Sequence, residues 1–176
     1  MKRRFSAILS VAAIAVCASP ALADNPTVLG TFKDWVALAV GTGASKSCWI
    51  IAKPQSSLPA KAKRDAIGFL VTDWPGRKAK AEPQAVPGYP YKDGSTVTAQ
   101  VGSDKFDFFT KNDNANGDGD AWIKSADDEA RLVSAMRSGQ QMIVTGISSR
   151  GTLTKDTYSL AGVSDALDKI HAECKM

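Results

Sequence analysis

One histidine and three cysteines among 176 residues are too little material for a metal cage or a histidine-based active site. The chain has no G-x-S-x-G, no H-E-x-x-H, no C-x-x-C and no glycine loop of the phosphate-cradling kind. No motif therefore supplies an activated nucleophile, a zinc ligand pair or a nucleotide site. Internal repeats are absent, and no linker marks a domain boundary. At 44% hydrophobic and 23% charged, the composition is that of an ordinary globular protein, which excludes a membrane bundle, a collagen-like repeat and a disordered tail.

The longest apolar run, Phe5 to Cys17, has about 13 residues against the roughly 20 that cross a bilayer. Lys2, Arg3 and Arg4 precede it, Pro20 breaks it, and Ala21-Leu22-Ala23 supplies a small-x-small cleavage site. We read residues 1–23 as a signal peptide and 24–176 as one mature domain in the periplasm, outer envelope or medium. A lipid anchor on Cys17 is a rival, but Val16 stands where a lipobox needs a small residue. Without the leader, 19 basic and 18 acidic groups remain. A net charge of +1 gives no electrostatic claim on nucleic acid. A mature chain of 153 residues is long enough to bury close to 70% of its unfolded surface around one core.

Alternation of apolar and polar residues marks half-buried strands. Val97, Ala99 and Val101 alternate with polar partners, turn at Gly102 to Lys105, and return through Phe106 and Phe108. Met142 and Val144 form another such strand. Ser149-Arg150-Gly151 turns the chain, and Asp156, Tyr158 and Leu160 lead back on one face. Trp35 to Val40, Cys48 to Ala52 and Ile67 to Thr72 are further candidates. Short strands spaced by turn chemistry suggest a sandwich or a barrel. Two helices interrupt them. Ser125 followed by Asp127, Asp128 and Glu129 caps a helix over 126–138, with Ala126, Ala130, Val133 and Arg137 on one stripe, Leu132 and Met136 on an adjoining one, and Gly139 as a C′ residue. The second, over 163–174, stacks Leu167, Ile170 and Cys174 on one stripe.

Several groups are candidates for chemistry. Asn112 to Asp120 alternates oxygen ligands as calcium requires, but position 12 of the loop is Ile123, where a bidentate Glu belongs. A polar hairpin loop explains the same residues, so no cofactor is expected. Lys61, Lys63 and Arg64, then Arg77, Lys78 and Lys80, make residues 24–100 net +4, whereas 101–176 are net −3. Such asymmetry can orient a protein on an anionic lipid or glycan, or it is a solvated face. Tyr89 and Tyr91 ahead of Lys92 can form a recognition tip, or pack over the end of the core. We take Tyr89, Tyr91, Lys92, Arg77, Lys78 and Lys80 as the candidate binding surface. His171 reads as a surface residue.

Cys17 leaves with the leader, so Cys48 and Cys174 are an even pair in an oxidising compartment. Both sit on apolar faces and are expected to form a disulfide. Two buried free thiols or a redox pair are the alternative, although the chain has no C-x-x-C motif.

Four stretches read together resemble the invasion-associated locus B family of exported bacterial proteins. They are Asp34-Trp35 with Lys46-Ser47-Cys48-Trp49-Ile50; Gly88-Tyr89-Pro90-Tyr91-Lys92-Asp93-Gly94-Ser95; Trp122 through Glu129-Ala130-Arg131-Leu132, Ala135-Met136-Arg137 and Gly139; and Arg150-Gly151-Thr152, Thr154, Asp156-Thr157-Tyr158-Ser159-Leu160, Gly162, Ala166-Leu167 and Cys174. The 112–120 loop is longer than that family's usual connection there. The resemblance implies an immunoglobulin-like antiparallel β-sandwich and brings no catalytic residues. The expected function is binding to an envelope protein, a surface glycan or a host component. The alternatives are an envelope hydrolase using carboxylates or a Ser with His171, and a periplasmic carrier of a small molecule.

Overall fold

The computed structural model describes residues 25–111 and 119–176. The expected signal peptide and most of the 112–120 loop lie outside the described residues. The strands are β1 (Thr27–Phe32), β2 (Trp35–Val40), β3 (Ser47–Ala52), β4 (Ser56–Leu58), β5 (Gly68–Trp74), β6 (Ala79–Val86), β7 (Thr96–Val101), β8 (Asp104–Lys111), β9 (Asp120–Trp122), β10 (Gln141–Ile147) and β11 (Leu153–Ser159). The helices are α1 (Ala126–Ser138) and α2 (Val163–Cys174), at the positions the capping residues and apolar stripes predict.

The eleven strands form one sheet in the order β1-β2-β3-β5-β6-β9-β8-β7-β10-β11-β4, antiparallel throughout. This corrects the expected immunoglobulin-like sandwich of two separate sheets. Three residues make the difference: β9 pairs with β6 on one side and β8 on the other, so the two limbs share one hydrogen-bonded ladder. The sheet rolls on itself. Phe69 of β5 meets Phe108 of β8 and Tyr158 of β11 edge-on, with ring centroids 6.1 and 5.9 Å apart, an attractive geometry for aromatic quadrupoles. Only residues 53–55 separate β3 from β4, yet β4 pairs with β11 at the far end of the ladder. Trp35 Nε1 donates to Ser159 O at 3.0 Å across the same junction. The ends approach, but the ladder does not close among the described residues.

Inward residues follow the period of two. Trp35, Ala37 and Ala39 in β2, Phe69 and Val71 in β5, and Val97, Ala99 and Val101 in β7 are all buried. In β6, Ala81, Pro83 and Ala85 point inward, and a proline is accommodated because β9 pairs only with Gln84 and Ala85.

Helix α2 covers β1, β2, β3 and β5, while α1 lies against β6, β7, β8 and α2. Leu167 and Ile170 are fully buried, each worth about 1.5–3 kcal/mol of transfer free energy. Cys48 and Cys174 are disulfide-bonded, with Cα atoms 6.1 Å apart, which fastens the end of α2 to β3. Beside the bridge, Lys46 Nζ donates to Glu173 Oε1 at 2.6 Å.

The helix ends differ in one respect from the sequence pattern. Ser125 accepts from the Asp128 N–H at 3.4 Å, as a capping residue should. Gly139, however, is extended at φ −84°, not left-handed. A glycine is needed there for space, since a Cβ would lie 2.5 Å from Val101 Cγ1. At Gly162, which opens α2, φ is +88° and a Cβ would lie 2.1 Å from Phe32 O.

Candidate functional site

Asp156 occupies an inward position of β11 between buried Thr154 and Tyr158, so alternation carries a carboxylate into the core. A charge taken out of water needs a partner with good geometry. Arg64, on the connection between β4 and β5, supplies it. Its Nη1 and Nη2 donate to Asp156 Oδ1 and Oδ2 at 2.7 and 2.6 Å, and its Nε donates to Pro87 O at 2.9 Å. The two side chains are 4% and 5% exposed. Burial works against the guanidinium charge, but the hydrogen bond and charge of Asp156 outweigh it and hold Arg64 above its ordinary pKa.

Tyr89 packs under this pair. The Arg64 guanidinium carbon sits 4.9 Å from the Tyr89 ring centroid, a cation–π distance. The Tyr89 hydroxyl hydrogen-bonds Thr154 Oγ1, which itself donates to Gly146 O at 3.3 Å. Tyr91 stands edge-on to Tyr89 at 5.4 Å. Burial pushes the phenols of Tyr89, Tyr91 and Tyr158 above their ordinary range.

Above the cluster lies a groove of about 610 Å³, walled by the 59–64 segment, by Tyr89 and Pro90, and by the turn from β10 to β11. Four cations line it, Lys61, Lys63, Arg64 and Arg150, and none of its lining residues is acidic. Arg64 is locked in the floor, whereas Lys61, Lys63 and Arg150 are exposed. Serine and threonine hydroxyls complete the wall. The surface can hold an anion through charge and hydroxyl donors together.

The residues expected to form the binding surface are only partly brought together. Tyr91 is 2% exposed and bridges Ser148, so it packs against the end of the core and offers no recognition tip. Backbone bonds from Lys92 to Ile147 O and from Ser149 to Pro90 O, both 2.8 Å, stitch its turn to β10. Tyr89 lines the cationic groove, and Lys92 lies on the surface beside Tyr91. Arg77 stacks on Trp74 at 4.5 Å and bonds Glu82. Lys78 and Lys80 border a different groove of about 740 Å³ between β6 and α1. Sequence reasoning named Lys61, Lys63 and Arg64 as a basic neighbourhood and missed Arg150 and the Arg64–Asp156 lock. The available signal was the acid at an inward strand position.

His171, read as a surface residue, is instead engaged. Its Nδ1 lies 2.7 Å from Oδ2 of fully buried Asp73. Asp73 Oδ1 accepts from the Ala81 N–H at 2.8 Å. That donor is free because the β5–β6 register shifts between Thr72 and Trp74, leaving Lys80 and Ala81 opposite Asp73. His171 borders the groove between β6 and α1. Among the described residues no group of three His, Cys, Asp or Glu side chains could hold a metal ion.

A family model described as invasion associated locus B (IalB) protein matches residues 35–171 of the chain. Among solved structures, the crystal structure of invasion associated protein B from Bartonella henselae is similar, with a TM-score of 0.57 and 15% sequence identity over 84% of this chain and 98% of that one. At that identity the likeness speaks for the fold. None of the curated proteins compared with the chain matches it.

Proposed function

The chain belongs to the invasion associated locus B family, and from that premise we propose that it is an exported envelope protein acting by binding, through the groove of Lys61, Lys63 and Arg150. The observation that carries this reading is the acid-free lining over a buried Arg64–Asp156 lock. A binding surface gains from a rigid floor because less freedom is lost on association. The lock holds the segment that presents Lys61 and Lys63 without consuming their charge. Partners consistent with this surface are anionic: an acidic face of an envelope protein, a charged glycan or lipid, or a host component.

The test is photocrosslinking in the intact envelope with the crosslinker placed at Ser149 in the groove wall, and at Lys80 as a comparison. Adducts should form at 149, be lost in Lys61→Glu/Arg150→Glu, and differ from those at 80. Absence of any adduct at 149, or adducts unaffected by the charge reversals, refutes the groove as the working surface.

The His171–Asp73 pair supports a second reading, an envelope hydrolase. A carboxylate on Nδ1 would fix the tautomer and leave Nε2 as a base. His171→Gln keeps an amide able to donate to Asp73. Restoration of a deletion strain by this variant supports binding, and failure by a stably folded His171→Gln protein supports the hydrolase.

A further inference from the structure

We infer that the end of the sheet bordering the cationic groove docks on an anionic lipid surface, with Leu58 and Leu153 entering the headgroup layer. This deepens the binding reading above and rests on it. Leu58 is 53% exposed and Leu153 63%, two of the three large hydrophobic residues left exposed among the described residues.

They share one patch. Leu58 on β4 stands opposite Lys155 on β11. Leu153 lies two residues along that strand on the same outer face, opposite half-buried Ile147 of β10. The chain runs directly from Leu58 into the groove wall at Pro59 and Lys61, and from Arg150 into Leu153. Lys155 stands on the same face as the two leucines, and Lys61, Lys63 and Arg150 lie on the segments that join them to the groove, all exposed. Asp65 is the acid on the same connection and stands outside the groove lining.

Charge and apolarity together select the partner. A soluble glycan or a phosphate would use the cations and hydroxyls but has nothing to offer exposed leucines. A bilayer with anionic headgroups offers both, since long Lys and Arg stems keep their charges at the phosphates while apolar side chains pass beneath. The strength is that of reversible docking. Each cation near such a surface contributes about fivefold in affinity, and burying a leucine contributes roughly tenfold or more.

Co-sedimentation of the exported, disulfide-intact protein with vesicles tests this. Phosphatidylethanolamine vesicles containing phosphatidylglycerol are compared with vesicles of phosphatidylcholine alone, and dextran sulfate serves as a soluble polyanion. The protein should sediment with the anionic vesicles only and be released by salt. Leu58→Ser/Leu153→Ser should weaken vesicle binding about tenfold or more while leaving dextran sulfate binding unchanged. Lys61→Glu/Arg150→Glu should weaken both by about twentyfold or more. Val28→Ser removes the third exposed hydrophobic, on β1 and outside the groove lining, and should change nothing. All five positions are on the surface, and circular dichroism confirms that each variant folds.

Failure to sediment with anionic vesicles overturns the inference. So does equal binding to phosphatidylcholine, or vesicle binding indifferent to the leucine substitutions. If one of those occurs while crosslinks at 149 persist and remain sensitive to charge reversal, the groove binds something other than lipid and the proposed function stands. Loss of both results removes both.

Discussion

Replacing Asp156 with asparagine keeps the shape of the side chain and removes its charge, leaving the Arg64 guanidinium buried without a counterion. In the native protein, two charge-assisted bonds of 2.7 and 2.6 Å join the pair, and the side chains are 4% and 5% exposed. Hydrogen bonds to charged groups contribute about 1.5–3 kcal/mol each; asparagine keeps one acceptor oxygen, so one bond is lost outright and the other loses its charge assistance, about 2–4 kcal/mol together. Breaking a buried pair by removing one partner costs about 3–5 kcal/mol on independent grounds. Against a total of about 5–15 kcal/mol for a domain of this size, Asp156→Asn should be among the most damaging single substitutions. Urea denaturation of the disulfide-intact protein measures it, as a lower midpoint at unchanged slope. The double variant Arg64→Met/Asp156→Leu fills the same space without charge and should recover most of the loss, because desolvation of two ions disappears along with their attraction. A loss below about 1 kcal/mol in Asp156→Asn would equal that of a solvated surface pair and would refute the reasoning. A double variant no more stable than the worse single would refute it equally.

The Cys48–Cys174 bridge spans 126 residues, and chain entropy assigns about 5 kcal/mol to so long a loop, with about 2–5 kcal/mol usual for a native bridge; reduction should lower stability by that amount, and mass spectrometry of the unreduced protein should find no alkylatable thiol on either cysteine. All three tyrosines of the chain have phenols raised mainly by burial. Their contribution to stability is therefore complete below the ordinary phenol pKa of about 10 and is lost as pH rises toward the raised folded values. Tyrosinate absorbance should appear together with loss of circular dichroism, and a phenol titrating near its ordinary pKa in the folded protein would contradict this. Gly162→Ala meets both a positive φ and a backbone oxygen at 2.1 Å. It should destabilise by about 2 kcal/mol or more, measured by thermal melting, whereas alanine at Gly94, with φ +69° but open space, should cost only the backbone term.

Local order was legible because each element advertises which face it buries. Helix α1 followed from Ser125, the three acids after it and the adjoining stripes of Val133 and of Leu132 with Met136, and α2 from the stripe ending in Cys174. Strands β2, β3, β5, β7, β8, β10 and β11 were visible through alternation of large apolar residues. The disulfide was legible for a different reason: with Cys17 assigned to the expected leader, two cysteines and one possible partnership remain. Strands β1, β4, β6 and β9 gave little signal. Two are three residues long, β1 has no buried residue, and the inward face of β6 is built from Ala81, Pro83 and Ala85, which carry little hydrophobic contrast. Periodicity states that a face is buried but not what it is buried against. Only the tertiary structure could decide that β9 joins the limbs into one ladder, that Arg64 finds Asp156 across 92 residues and His171 finds Asp73 across 98. The same holds for the cationic groove, whose walls come from three separated segments. Such contacts exist only after the sheet has rolled, when a charge carried inward by strand alternation must take whichever opposite charge the roll delivers to it.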